Sequence, residues 1–166
     1  MKAIIAIPVL LVIVIVDIIT KAVAVATLSP AGVPMPVFGE WLRFALVYNP
    51  GAAFGLHLGP YSRWLFMALT VGALVILGRL YRETADGDNR RVLAITLVAA
   101  GAVGNVIDRI RSEFGVVDFL DVGIGAHRWP TFNVADIAVS TGAFLLALVL
   151  WREERREEAA LAAAAA

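Results

Sequence analysis

Val92-Leu93-Ala94-Ile95-Thr96-Leu97-Val98-Ala99-Ala100-Gly101-Ala102-Val103-Gly104-Asn105-Val106-Ile107-Asp108-Arg109-Ile110 decides how this chain folds. Its nineteen residues approach the about 20 that an α-helix needs to cross a bilayer. The first thirteen, through Gly104, carry no charge. Asn105, Asp108 and Arg109 then follow at i, i+3 and i+4, which share one helix face. A span of this kind delivers its polar groups to one membrane surface. Gly101 and Gly104 read as close-packing positions against other membrane helices.

Three further stretches are long and apolar enough to cross: Ala3–Leu28, Trp64–Tyr81 and Val134–Trp151. The second span in the chain is short before Arg79, whose side chain can snorkel to the interface. Composition agrees. The 166 residues are 60% hydrophobic and 17% charged, with mean hydropathy +0.83. Soluble domains average roughly 45–50% and about 25%. Lys2, the apolar run to Val16 and Ala22-Val23-Ala24 imitate a cleaved signal peptide. Asp17 and Lys21 lie inside the segment, however, and three spans follow, so it is read as a retained first helix.

Charge sets the orientation. Lys2, Arg79, Arg82, Arg90, Arg91, Arg152, Arg155 and Arg156 make eight basic residues on one side, against Arg43, Arg63, Arg109, Arg111 and Arg128 on the other. The positive-inside rule then places both termini in the cytoplasm. Net charge is zero, which gives no argument for a nucleic-acid partner. There is no cysteine, and the two histidines, His57 and His127, lie far apart in loop-like sequence. Thiolate chemistry is excluded, and neither a metal nor a cofactor is expected.

The outer connections, 29–63 and 111–133, contain strand-like pieces at Arg43–Tyr48 and Gly115–Val122. The expected fold is therefore an all-α membrane protein, a four-helix bundle with a small sheet against its outer surface. Residues 1–152 form the membrane domain. The charged, alanine-rich tail 153–166 is expected to be a solvated helix end that frays.

Depth then groups the polar residues. Asp17 and Lys21, at i and i+4, lie in the outer half of the first helix, and Asn105, Asp108 and Arg109 near the outer end of the third. Asn133 and Asp136 open the fourth, while Asn49 and Asp118 belong to the outer loops. All converge on one interface. Asp17–Lys21 reads as a neutralising ion pair, Asp108–Arg109 as another, and Asn133 as an N-cap. Asp118 and Asp136 resist such readings, because both have apolar neighbours and no basic residue within four positions. A carboxylate so placed costs several kcal/mol unless it is paired, hydrated or protonated. Two brought together share a proton, so one can act as base on a water while the other donates to a peptide carbonyl. Asp108 competes for the same role, because its Asn-x-x-Asp context mirrors that of Asp136.

Five motifs carry a resemblance. They are Asp17-Ile18-Ile19-Thr20-Lys21, Asn49-Pro50-Gly51-Ala52-Ala53-Phe54-Gly55, Gly101-Ala102-Val103-Gly104-Asn105-Val106-Ile107-Asp108-Arg109, Val116-Val117-Asp118-Phe119 and Phe132-Asn133-Val134-Ala135-Asp136. In this order, with four spans, the chain resembles the bacterial lipoprotein signal peptidases, or signal peptidase II. Pro50 departs slightly from the family pattern.

The resemblance implies an aspartic endopeptidase of the bacterial inner membrane with a small extracytoplasmic β-cradle. Such an enzyme cuts diacylglyceryl-modified prolipoproteins just before the lipidated cysteine, and globomycin inhibits it. It implies Asp118 and Asp136 as the catalytic pair. Asn49, Gly51, Asn105, Arg109 and Asn133 are implied as pocket or substrate-positioning residues. Asp108 is implied in a supporting role, and Asp17 with Lys21 as a structural pair. The expected partners are lipid-modified precursors, membrane lipids and globomycin-type inhibitors, and the expected state is a monomer.

A proton channel, a non-catalytic scaffold and a Ser140–Lys21 protease are the rivals. A relay would spread polar groups through the membrane, a scaffold leaves the two aspartates unexplained, and no serine motif surrounds Ser140.

Overall fold

A computed structural model describes residues 1–51, 59 and 61–164. The part of the second motif from Ala52 to Gly55, and His57, lie outside the described residues. Among the described residues, four helices are long and apolar enough to cross a membrane: α1 (Lys2–Thr27), α2 (Ser62–Glu83), α3 (Asn89–Arg111) and α4 (Val134–Ala164). Each begins within three residues of its expected span. The difference lies in α4, which remains helical through Ala164 instead of fraying after the membrane segment. The Arg91–Glu153 ion pair, at 3.0 Å, ties the start of that extension to α3.

Bundle packing centres on α3, which meets α4 and α1 most extensively and α2 less so. The glycines explain the closeness. A Cβ at Gly101 would run into the carbonyl oxygen of Ala135, and one at Gly104 would lie 2.5 Å from Asp17 Oδ2. Small residues at such positions let membrane helices approach, where van der Waals contact replaces the missing hydrophobic drive. The remaining apolar surface of α1 and α2 faces outward, as a lipid-exposed helix requires.

At the end of the bundle opposite the termini lies an antiparallel sheet in the order β1-β2-β3-β4. Its strands are β1 (Met35–Phe38), β2 (Leu42–Asn49), β3 (Val116–Ile124) and β4 (His127–Arg128). The two expected strands are β2 and β3. The other two were hidden: β1 carries Pro36, which an edge strand tolerates because its N–H is not needed there, and β4 is only two residues long. A register shift between Phe44 and Val47 in β2 bends the pair. One sheet face buries Leu46, Val117 and Phe119 against Ala24 and Leu28 at the end of α1. Phe44 and Phe119 meet edge to face at 6.3 Å. That apolar plug fixes the sheet over the helix ends.

Lys2 closes the other end. Its Nζ donates to the carbonyls of Tyr81 (2.9 Å), Arg82 (3.1 Å) and Thr84 (2.6 Å), orphan acceptors at the end of α2.

Candidate active site

The first turn of α4 is a reciprocal cap. Asn133 Oδ1 accepts from Asp136 N–H at 2.9 Å, and Asp136 Oδ2 accepts from Asn133 N–H at 3.2 Å. The N-cap reading of Asn133 thus describes half of what it does. Its Nδ2 is left to donate to Asp118 Oδ1 at 2.7 Å, with Asn105 Oδ1 and the Val117 carbonyl each at 3.2 Å. One buried asparagine bridges the two aspartates.

Each carboxylate has a second amide donor. Asn105 Nδ2 donates to Asp136 Oδ1 at 2.8 Å, and Asn49 Nδ2 to Asp118 Oδ2 at 3.1 Å. Asn49 Oδ1 accepts from Gly51 N–H (3.0 Å), and the Gly51 carbonyl accepts from Arg109 Nη2 (2.9 Å). Arg109 Nη1 donates to the Asn105 carbonyl (3.2 Å), while its buried Nε has no partner among the described residues.

Asp118 is 2% exposed. Burial, and then the neighbouring charge of Asp136, push its carboxyl from the ordinary 3.8 to about 7, against the opposing hydrogen bonds from Asn49 and Asn133. Both aspartates line a cleft of about 950 Å³ between the sheet, the 129–132 segment and the ends of α3 and α4. Asn49, Asn105 and Arg109 face it as well, and Val47, Val116, Ile137 and Val139 supply apolar wall.

Asp108 lies elsewhere. Its Oδ2 forms an ion pair with Lys21 Nζ at 2.8 Å and accepts from Val117 N–H at 3.2 Å, and it is not among the residues lining the cleft. Because both contacts fall on one oxygen, an asparagine can reproduce them. Asp108→Asn is expected to retain whatever activity the cleft has within about tenfold of the parent, whereas Asp108→Ala loses the contacts and falls by about 10². Initial rates of the two variants on the same substrate distinguish them. Lys21 pairs with Asp17 at 2.7 Å, and both side chains are almost fully buried. Ser140 does line the cleft, but the Lys21 ammonium is committed to Asp17, Asp108 and Asn105 and is no free base for it.

Asp121 escaped the sequence reading altogether. It is buried on β3 between Arg43 Nε (2.8 Å) and Arg128 Nε (2.7 Å), and Arg128 also reaches the Glu40 carbonyl (2.6 Å). Burial would raise its carboxyl, but hydrogen bonds from Arg128 and Arg43 outweigh that and hold it below the usual range. This clamp fixes β4 and the segment leading to Phe132, one wall of the cleft. The available signal was Arg43 and Arg128 lying in the two strand-bearing connections, with Asp121 in the strand-like piece between them.

The sequence matches the model of the Signal peptidase (SPase) II family, Peptidase_A8, over residues 9–152. The chain belongs to the signal peptidase II family. It is accordingly an aspartic peptidase and, with its four apolar helices, a multi-pass membrane protein. Among signal peptidase II relatives, the lipoprotein signal peptidase of Cupriavidus necator is 42% identical over 151 residues, covering 88% of this chain and 82% of that one. That of Geobacter metallireducens is 40% identical over 124 residues, covering 74% and 76%. A solved structure described as a bacterial membrane enzyme superposes with a TM-score of 0.81 at 32% identity, covering 90% of this chain and 88% of that one. A second gives 0.76 at 32%, covering 87% and 91%. The fold of these membrane enzymes is thus shared along nearly the whole chain.

Proposed function

We propose that this peptidase removes the signal peptide from diacylglyceryl-modified prolipoproteins, cutting just before the lipidated cysteine with Asp118 and Asp136 as its water-activating pair. One observation carries the reading: two aspartates from separate elements, bridged by Asn133, face a single cleft. In this mechanism Asp136 takes a proton from water, whose oxygen attacks the scissile carbonyl carbon. Asp118, in its protonated form, donates to the carbonyl oxygen. Collapse of the tetrahedral intermediate breaks the C–N bond and passes a proton to the cysteine nitrogen, leaving a carboxylic acid and a free amine. Arg109, Asn49 and Gly51 hold the extended substrate backbone.

The same reading sets both termini in the cytoplasm of a bacterium and the sheet on the far side of its inner membrane. Residues 1–152 act as the peptidase, 153–166 as a tail without a part in cleavage. The substrate enters laterally with its acyl chains in the bilayer, the enzyme works as a monomer, and globomycin-type peptides compete for the cleft. The test uses the full chain in nanodiscs, a diacylglyceryl precursor and H₂¹⁸O. In a single turnover one ¹⁸O is expected in the released signal peptide's carboxylate and none in the mature lipoprotein. Turnover without label, or equal cleavage of the unlipidated precursor, overturns the reading.

A further inference from the structure

We propose that Lys21 is the positioning residue of the aspartate pair, one ammonium holding both aspartates in register through three separate legs. This rests on the reading of Asp118 and Asp136 as the reacting pair. An ammonium has three N–H donors and accepts nothing. The Lys21 Nζ donates to Asn105 Oδ1 at 3.0 Å and forms ion pairs with Asp17 Oδ2 at 2.7 Å and Asp108 Oδ2 at 2.8 Å.

Each leg ends at or beside an aspartate of the pair. Asp17 Oδ1 accepts from Ala135 N–H at 2.9 Å, one residue before Asp136. Asp108 Oδ2 accepts from Val117 N–H at 3.2 Å, one residue before Asp118. The third leg is the most directive. Asn105 Oδ1 receives both Lys21 and Asn133 Nδ2, so its amide nitrogen must face Asp136, as it does at 2.8 Å. A flipped Asn105 would set an oxygen against the Asp136 carboxylate and its NH₂ against the ammonium. Lys21 therefore fixes both where the carboxylates sit and which amide atom Asp136 sees.

A simple Asp17–Lys21 ion pair would explain neither the second carboxylate nor the asparagine. The hub also needs Gly104, where any Cβ would displace the Asp17 carboxylate.

The chain has no cysteine, so Lys21→Cys carries its sole thiol, the group these reagents alkylate fastest. The variant is unfolded in SDS, treated with 2-bromoethylamine to rebuild an ammonium at nearly the lysine length, and refolded into detergent. A second portion receives 1-iodopropane, a neutral chain of similar size. The parent passes through the same cycle as control. Lys21→Cys and its propyl form are expected to lose about 10²-fold in kcat, with KM for the lipidated precursor within about threefold. The aminoethyl form is expected to recover to within about tenfold of the parent.

Equal recovery with the propyl chain, or kcat of Lys21→Met within threefold of the parent, overturns the proposal. Where Lys21→Cys refolds poorly, the comparison runs between the two alkylated forms at equal binding-competent concentration, titrated with a tight-binding inhibitor. Asp118→Asn is assayed alongside. If it cleaves normally, the reading of the pair fails, whereas an inactive Asp118→Asn beside an active propyl form defeats the Lys21 proposal alone.

Discussion

Asp118→Asn and Asp136→Asn are each expected to lower the cleavage rate by 10²–10⁴-fold, roughly the range for removing a positioned acid or base. Asparagine preserves the shape of the carboxylate but can neither take a proton from water nor give one to the carbonyl. Both oxygens of each aspartate accept from N–H donors, so the amide keeps one of the two hydrogen bonds and turns its NH₂ towards the other donor. The variants are expected to fold with that single loss and to bind precursor near the parent KM. A substantial rate in either well-folded variant would remove the pair from the mechanism.

Asp118→Asn carries a second expectation, on stability. The Asp118 carboxyl titrates near 7 in the folded protein against an ordinary 3.8. Below about pH 4 it is protonated folded or unfolded and has no linkage effect. Between about pH 4 and 7 only the folded state keeps the proton, so this group's contribution falls as pH rises and is lowest above 7. The variant is therefore expected to melt higher than the parent at pH 8, with the gain vanishing towards pH 4. Thermal unfolding in detergent across that range is the measurement. A gain that grows towards acid would mean that the Asp118 carboxyl is held low, contrary to its burial.

Gly101→Ala is the second large expectation. The added Cβ lands on the Ala135 carbonyl, backbone that cannot rotate away, so α3 and α4 must separate. Overpacking of this kind costs about 1–3 kcal/mol and occasionally more. The catalytic cost is expected to be larger than the loss of stability suggests. Asn105 sits one turn along α3 and Asp136 one residue along α4, and their 2.8 Å hydrogen bond spans the widened seam. Displacement by about 1 Å costs roughly 10²-fold in rate. Thermal stability and kcat measured on the same preparation would show both. Gly72→Ala on α2, where an added Cβ meets nothing, is the control expected to leave both unchanged.

The spans were legible because a bilayer imposes a length that apolar runs either meet or miss. The convergence of Asn105, Asp118, Asn133 and Asp136 was legible for a related reason: depth in a membrane follows from position along a span. Partnership was not legible. Arg43 meets Asp121 across 78 positions, and Lys21 meets Asn105 across 84. No local periodicity encodes such pairs. They exist because Gly104 admits the Asp17 carboxylate against α3, and because the apolar plug around Phe119 seats the sheet. The edge strand β1 stayed hidden behind its proline, and the true length of α4 behind a charged, alanine-rich tail that looked like a fraying end.

The cap of α4 has a consequence for observation. Asn133 closes the helix with one side-chain atom and holds Asp118 with another, so the first turn cannot fray while that bridge persists. The Asp136 amide proton, bound to Asn133 Oδ1, is thereby tied to the state of the cleft. Its rate of exchange with deuterated water becomes a built-in gauge of occupancy, slowing when a ligand holds the two aspartates together and quickening when they part.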